Sequence, residues 1–105
     1  MDQGPLTKER LVEQLRPIRE RIEALGVHRL ALFGSVVRGQ ARPDSDVDLL
    51  VQFDPVRKTL RNFMALAFLL EDVLQRRVEL VTTESLSPHM APHILREAED
   101  VLHAA

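Results

Sequence analysis

Apolar residues in the first quarter of the chain recur every three or four positions, the spacing of one face of a helix. Five side chains form this stripe: Leu11, Leu15, Ile18, Ile22 and Leu25. The stripe predicts an amphipathic helix over about residues 7–25, closed by Gly26. Pro17 lacks a backbone donor, so the helix either kinks there or splits, with Pro17 opening the second piece. We favour the kink.

The remaining pattern alternates between short apolar runs and longer amphipathic segments. The runs His28–Phe33 and Val47–Phe53 are bounded by Gly, Pro or Asp and predict two buried strands, with a polar loop between them. Residues 59–75 predict a second helix, residues 77–82 a third strand, and residues 91–103 a last helix. This order predicts an α+β (or α/β) fold in which helices cover a small sheet.

Composition narrows the class of protein. A chain of 105 residues with 45% hydrophobic and 29% charged residues fits one folded domain, residues 1–105. The absence of cysteine excludes disulfides and thiolate metal sites and fits a cytoplasmic protein. The longest apolar run, residues 63–70, is too short to span a membrane, so we expect no membrane association.

Charge and aromatic content argue against a polynucleotide partner. The formal net charge is -2, so no global positive field attracts nucleic acid. Trp and Tyr are absent and Phe occurs four times, which leaves few rings on which bases could stack. We therefore do not expect nucleic acid as a direct acceptor.

A candidate phosphate site follows the first predicted strand. Gly34 would let the backbone approach a phosphate closely, while Ser35 offers a hydroxyl and an expected short helix after it offers free N–H groups. A Gly-Ser pair alone is weak evidence. The alternative is a tight turn in which Ser35 is a helix N-cap.

A candidate metal site opens the second predicted strand. Asp46 and Asp48 are two positions apart, so on a strand their carboxylates project to the same face. Two such close acids repel unless a cation neutralises them, and Mg²⁺ commonly binds through one or two carboxylates plus substrate phosphates. The alternative is that both are solvated turn residues. The apolar run that follows, residues 49–51, makes this alternative less attractive.

Glu79 is a third candidate acid, because it interrupts the third predicted strand between Val78 and Leu80. If that strand lies beside the second, Glu79 can complete a three-carboxylate metal site or act as general base toward an acceptor hydroxyl. A glutamate on an edge strand facing solvent is an equally good reading of the same residue.

Together, the candidate phosphate site and the candidate metal site resemble a known sequence signature. Gly34-Ser35, ten intervening residues and then Asp46-x-Asp48 are similar to the DNA polymerase β superfamily of nucleotidyltransferases. Phe33-Gly34-Ser35-x-x-Arg38-Gly39 with Ser45-Asp46-x-Asp48-Leu49 more closely resembles the minimal nucleotidyltransferase (MNT) family, over nearly the whole chain.

The resemblance implies a nucleotidyltransferase fold, with a small mixed sheet of about three to four strands flanked by helices. It implies a Mg²⁺-dependent nucleotidyltransferase in which Asp46, Asp48 and Glu79 are catalytic and hold the metal. Glu79 stands where the family usually has Asp. Gly34, Ser35, Arg38 and Ser45 would bind the nucleotide. Arg38 either contacts phosphate or braces the loop, and we favour bracing.

The resemblance also implies a partner. MNT proteins are often encoded beside a HEPN-domain toxin, as the antitoxin of a toxin–antitoxin pair, and can transfer AMP to a toxin tyrosine. We therefore expect transfer of a nucleoside monophosphate, AMP from ATP, to a hydroxyl of a partner protein. The alternative, from a different class, is a binding module with weak or no turnover that neutralises its partner by complex formation.

Overall fold

A computed structural model describes residues 6–42 and 44–104 of the chain. The helices and strands, in chain order, are α1 (Lys8–Leu15), α2 (Arg19–Ala24), β1 (Val27–Phe33), β2 (Val47–Phe53), α3 (Leu60–Leu74), β3 (Val78–Thr82), α4 (Ala91–Glu97) and β4 (Glu99–His103). Single 3-10 turns occupy Arg16–Ile18, Pro55–Arg57 and Thr83–Ser85.

The four strands form one mixed sheet in the order β3-β2-β1-β4. β1 is antiparallel to both β2 and β4, whereas β2 and β3 are parallel and are joined through α3. The two central strands are the most apolar, as expected for strands that are covered by neighbours on both edges. The expected α+β fold, with a mixed sheet of three to four strands, is confirmed.

The helix α3 shows how local sequence sets the boundaries of an element. The hydroxyl of Thr59 caps the first turn by accepting a hydrogen bond from the Asn62 N–H at 3.1 Å. Gln75 ends the helix in the left-handed conformation, with φ of 53°. Between these ends, Leu66, Leu70 and Leu74 are buried against the sheet. The predicted second helix and all three predicted strands are therefore confirmed.

The first predicted helix is split, not kinked. α1 ends at Leu15, a 3-10 turn that contains Pro17 follows, and α2 begins at Arg19. The proline cannot donate the hydrogen bond that would continue α1, and the tighter turn accommodates its ring. The apolar face continues into the core on both sides of the break. Its buried members are Leu11, Leu15, Ile18 and Ile22.

The last predicted helix is wrong in its second half. α4 ends at Glu97, Ala98 adopts an extended conformation with ψ of 138°, and residues 99–103 form β4. This strand pairs with β1 and covers an edge that would otherwise expose unpaired backbone groups. Such pairing depends on a strand about 70 positions earlier in the chain, so local periodicity could not predict it.

Among residues 6–42 and 44–104, no helix has the length and apolar character required to cross a bilayer.

Candidate active site

A tight turn leaves the end of β1 and occupies residues 34–39. It starts at Gly34, whose φ is +81°, and ends at Gly39, whose φ is +72°. Its backbone bonds run from the Arg38 N–H to the Gly34 carbonyl and from the Gln40 N–H to the Ser35 carbonyl, at 3.2 and 2.9 Å. The short helix expected after Ser35 does not form, because two glycines in left-handed conformations confine the segment to turns.

This turn leaves several donors available. The backbone N–H groups of Ser35, Val36 and Val37 donate no hydrogen bond to any described residue, and the Ser35 hydroxyl likewise makes none. Ser35 is therefore not a helix N-cap, which was the alternative to the phosphate reading. Consecutive unpaired N–H groups in a turn form a concave site that suits an anion.

Asp48 lies directly beside this turn. It is the second residue of β2, and the antiparallel register places it opposite Phe33, the last residue of β1. Asp46 immediately precedes β2. The start of β2, which carries the two carboxylates, thus lies beside the turn that follows β1.

Gly34 touches Asp48 so closely that only glycine fits. A Cβ atom at position 34 would lie 2.9 Å from Cγ of Asp48 and still closer to its Oδ2. The absence of a side chain at Gly34 therefore lets the turn lie against the carboxylate, in addition to allowing the positive φ.

The third acid, Glu79, lies on the neighbouring strand. β2 and β3 are parallel, and Glu79 is the register partner of Asp48. The side chain of Glu79 is exposed, and β3 is an edge strand of the sheet. Glu79 is thus a solvent-exposed residue of an edge strand whose register neighbour is Asp48. Its role as metal ligand or general base stays a prediction.

The environment of Asp48 disfavours its charged form. Burial raises the pKa of the Asp48 carboxyl, and the negative charges of Glu79, Asp46 and Glu97 raise the pKa further. Among the residues that the structure describes, the Arg38 guanidinium alone lowers this pKa. A carboxylate held among like charges gains most from a bound cation.

The donor set suits Mg²⁺, which accepts hard oxygen ligands and needs only one or two carboxylates when phosphate oxygens complete its shell. Asp46 and Asp48 supply such oxygens. Within the described ranges, no three acidic, histidine or cysteine side chains converge closely enough to hold an ion by themselves. The carboxylates of Asp46 and Asp48 fit a hard divalent cation whose remaining ligands are other oxygens.

Arg38 braces the turn through Glu97, a residue that the sequence analysis did not identify. Its Nη1 donates to Oε1 of Glu97 at 2.8 Å, and the backbone N–H of Gly34 donates to Oε2 of the same carboxylate at 2.7 Å. These bonds, that from Gly34 foremost, lower the pKa of Glu97. Glu97 is the last residue of α4, 63 positions after Gly34, so no local signal could have identified it.

Ser45 supports the loop before β2. Its hydroxyl accepts a hydrogen bond from the Arg42 N–H at 2.7 Å, and its own N–H donates to the Arg42 carbonyl at 3.0 Å. This turn fixes the approach to Asp46. The hydroxyl keeps its proton available for a further acceptor.

A cavity of about 570 Å³ opens beside Asp48. Residues of the turn and of α4 line it: Phe33, Gly34, Arg38, Asp48, Met90, His93, Ile94, Arg96 and Glu97. Its volume lies in the range typical of small-molecule sites. It therefore has room for a substrate group next to the acidic pair.

Known proteins share this arrangement of sequence and fold. Residues 12–101 match the family of the nucleotidyltransferase domain. The protein adenylyltransferase MntA of Thermococcus cleftensis is 44% identical over 79 residues, which cover 75% of this chain and 79% of that protein.

Solved structures agree with the sequence comparison. One, provisionally described as a minimal nucleotidyltransferase, has a TM-score of 0.68 at 42% identity and covers 84% of this chain and 93% of its own. A chain of a toxin–antitoxin structure with AMP-PNP has a TM-score of 0.63 at 24% identity, covering 94% of this chain and 75% of its own. At that identity the second likeness concerns the fold alone.

Proposed function

Because this chain belongs to the nucleotidyltransferase domain family, we propose that it transfers AMP from ATP to a hydroxyl group of a partner protein. The observation that carries the proposal is the close packing of Gly34 against Asp48, which brings a turn rich in free donors to the acidic pair. A bound triphosphate needs both features: N–H donors for its phosphate oxygens, and carboxylates that hold its metal counterion.

The reaction is an in-line displacement at the α-phosphorus. The acceptor oxygen forms a bond to that phosphorus, the bond to the bridging oxygen breaks, and pyrophosphate leaves with the electron pair. The N–H groups of residues 35–37 and the Ser35 hydroxyl bind the terminal phosphates and hold the leaving group in line. Glu79 or water receives the hydroxyl proton, and the position of Glu79 next to Asp48 supports the first of these.

Mg²⁺ bound to Asp46 and Asp48 would neutralise negative charge on the phosphoryl oxygens. Burial and, after it, the charges of Glu79 and Asp46 raise the pKa of the Asp48 carboxyl, and a cation there would offset that repulsion between like charges. Glu79 would join as a third ligand only after its side chain moves toward Asp48. Ser45 holds the loop ahead of Asp46 and offers its hydroxyl proton to the nucleotide.

A partner protein is the acceptor that fits best, and we assign this role to a HEPN-domain toxin. The named relative is a protein adenylyltransferase, and one structural neighbour is a complex of a tri-AMPylated HEPN toxin of Shewanella oneidensis with its MNT antitoxin. The sequence contains no tyrosine, so the chain cannot modify its own tyrosine. A cytoplasmic location is consistent with this role.

The direct test is to purify the chain together with the product of the adjacent reading frame, add ATP and Mg²⁺, and measure the partner's mass. We expect a gain of one or more AMP groups, with release of one pyrophosphate for each. The gain should disappear when Asp46 and Asp48 are both asparagine. Inhibition of the partner by complex formation, without any change in its mass, would support the binding-module alternative instead.

Glu79 gives a second test, which distinguishes a general base from an exposed carboxylate that takes no part in the reaction. Glu79→Ala should lower transfer by about 100-fold, the usual effect of losing a general base. Glu79→Asp, which restores a carboxylate on a shorter side chain, should keep or raise the wild-type rate. Glu99→Ala is a matched control, because Glu99 is an exposed glutamate on β4, the opposite edge strand. Full activity of Glu79→Ala in the same assay would assign Glu79 to the solvated surface.

A further inference from the structure

The carboxylate of Glu97 connects α4 to the turn that follows β1. We propose that Glu97 is a positioning residue of the transfer site, which fixes the Gly34 turn and Arg38 in the geometry that receives a triphosphate. This inference rests on the proposed function and adds a residue from a part of the chain outside the family signature.

Geometry is the first support. The two oxygens of Glu97 accept from two different parts of the turn, the Gly34 N–H at 2.7 Å and Nη1 of Arg38 at 2.8 Å. Both bonds involve a charged group and are therefore stronger than neutral ones. The Glu97 side chain is 23% exposed, and the turn engages both of its carboxylate oxygens.

The position of Gly34 between two carboxylates is the second support. Glu97 holds its N–H on one side, and the Asp48 carboxylate packs against its Cα on the other. Any movement of the turn would change its distance from Asp48. Glu97 accepts from the first N–H of the turn, and the next three N–H groups donate to no described residue.

Electrostatics make opposite predictions for a positioning role and for a purely charge-based role. The negative charge of Glu97 lies near Asp48 and would repel a triphosphate, whereas Arg38 would attract one. If Glu97 acted only through charge, Glu97→Ala should tighten nucleotide binding, because it frees Arg38. If Glu97 positions the turn, the same change should weaken binding.

The experiment measures the affinity of AMP-PNP with Mg²⁺ by calorimetry for wild type, Glu97→Ala and Glu97→Gln. We expect at least about tenfold weaker binding for Glu97→Ala, which loses both charge-assisted bonds to the turn, and a smaller loss for Glu97→Gln. Glutamine keeps an acceptor for the Gly34 N–H and so should fold as wild type does. Glu99→Gln, with the same loss of charge two residues away, should bind as wild type.

A second measurement does not depend on nucleotide. In ¹⁵N NMR spectra of wild type, the Gly34 amide signal should shift as Glu97 titrates, at a pH below the ordinary range of a glutamate, and it should not do so in Glu97→Gln. Two results would overturn this inference but not the proposed function. One is a Gly34 amide signal that does not change as Glu97 titrates; the other is a Glu97→Ala variant that binds AMP-PNP as tightly as wild type or more tightly. Failure of wild type itself to bind AMP-PNP would overturn the proposed function and this inference together.

Discussion

Replacing Asp46 and Asp48 together with asparagine should lower nucleotidyl transfer by about 100-fold or more and abolish its dependence on Mg²⁺. A metal ion that neutralises the charge developing on the phosphoryl oxygens stabilises the transition state by several kcal/mol. Each ~1.4 kcal/mol corresponds to a tenfold change in rate. Asparagine keeps the shape of each side chain but removes the charge that holds the ion. The measurement is pyrophosphate release with the partner protein present, at several Mg²⁺ concentrations.

The same double substitution should not destabilise the fold. Burial and like charges raise the pKa of Asp48, so its ionised form costs folding free energy at neutral pH, and the cost disappears as pH falls through the raised pKa. The variant should therefore melt at or above the wild-type temperature at pH 7, and the difference should shrink in acid. Mg²⁺ should raise the melting temperature of wild type but not of the variant.

A control with the same loss of charge is Glu20→Gln/Asp72→Asn, since both residues are exposed on helices. This pair should leave transfer and Mg²⁺ dependence unchanged. Wild-type transfer by the folded Asp46→Asn/Asp48→Asn variant would contradict the two-carboxylate metal site directly.

The parts of the candidate site that depend on local geometry could be predicted from the sequence. Asp46 and Asp48 are two residues apart, and the structure places Asp46 immediately before β2 and near enough for its charge to raise the pKa of the Asp48 carboxyl. Gly34 follows a strand that ends in Phe33, so a turn there was expected. The pairing of Asp48 with Glu79 required one assumption, that the second and third strands are neighbours, and the register confirms it.

The parts that depend on distant contacts could not be predicted. Residues 99–103 have a helical apolar pattern, yet they form a strand because the open edge of β1 pairs with them. Glu97 is polar and lies near the end of a helix, which is ordinary for a solvated surface. Only the folded chain brings it to Gly34 and Arg38, 63 and 59 positions away.

Adding a single methyl group at position 34 should damage both the fold and the site. Gly34→Ala places an L-residue at φ of +81°, which costs about 1–2 kcal/mol, and puts its Cβ into the space of the Asp48 carboxylate. Since ~1 kcal/mol shifts the melting temperature of a domain of this size by roughly 4–8 °C, we expect a fall of about 5–15 °C. To relieve the overlap, Asp48 must move away from the turn.

Gly39→Ala separates these two effects, because Gly39 has a similar φ of +72° but nothing within 4 Å of its Cβ position. It should lose stability through the backbone alone and bind AMP-PNP with Mg²⁺ nearly as wild type does. Gly34→Ala should bind at least about tenfold more weakly than Gly39→Ala, measured well below both melting temperatures, because displacement of Asp48 removes a proposed metal ligand. If the two alanine variants bind AMP-PNP equally well, the closeness of Gly34 to Asp48 serves only the fold. The turn would then not be part of the nucleotide site.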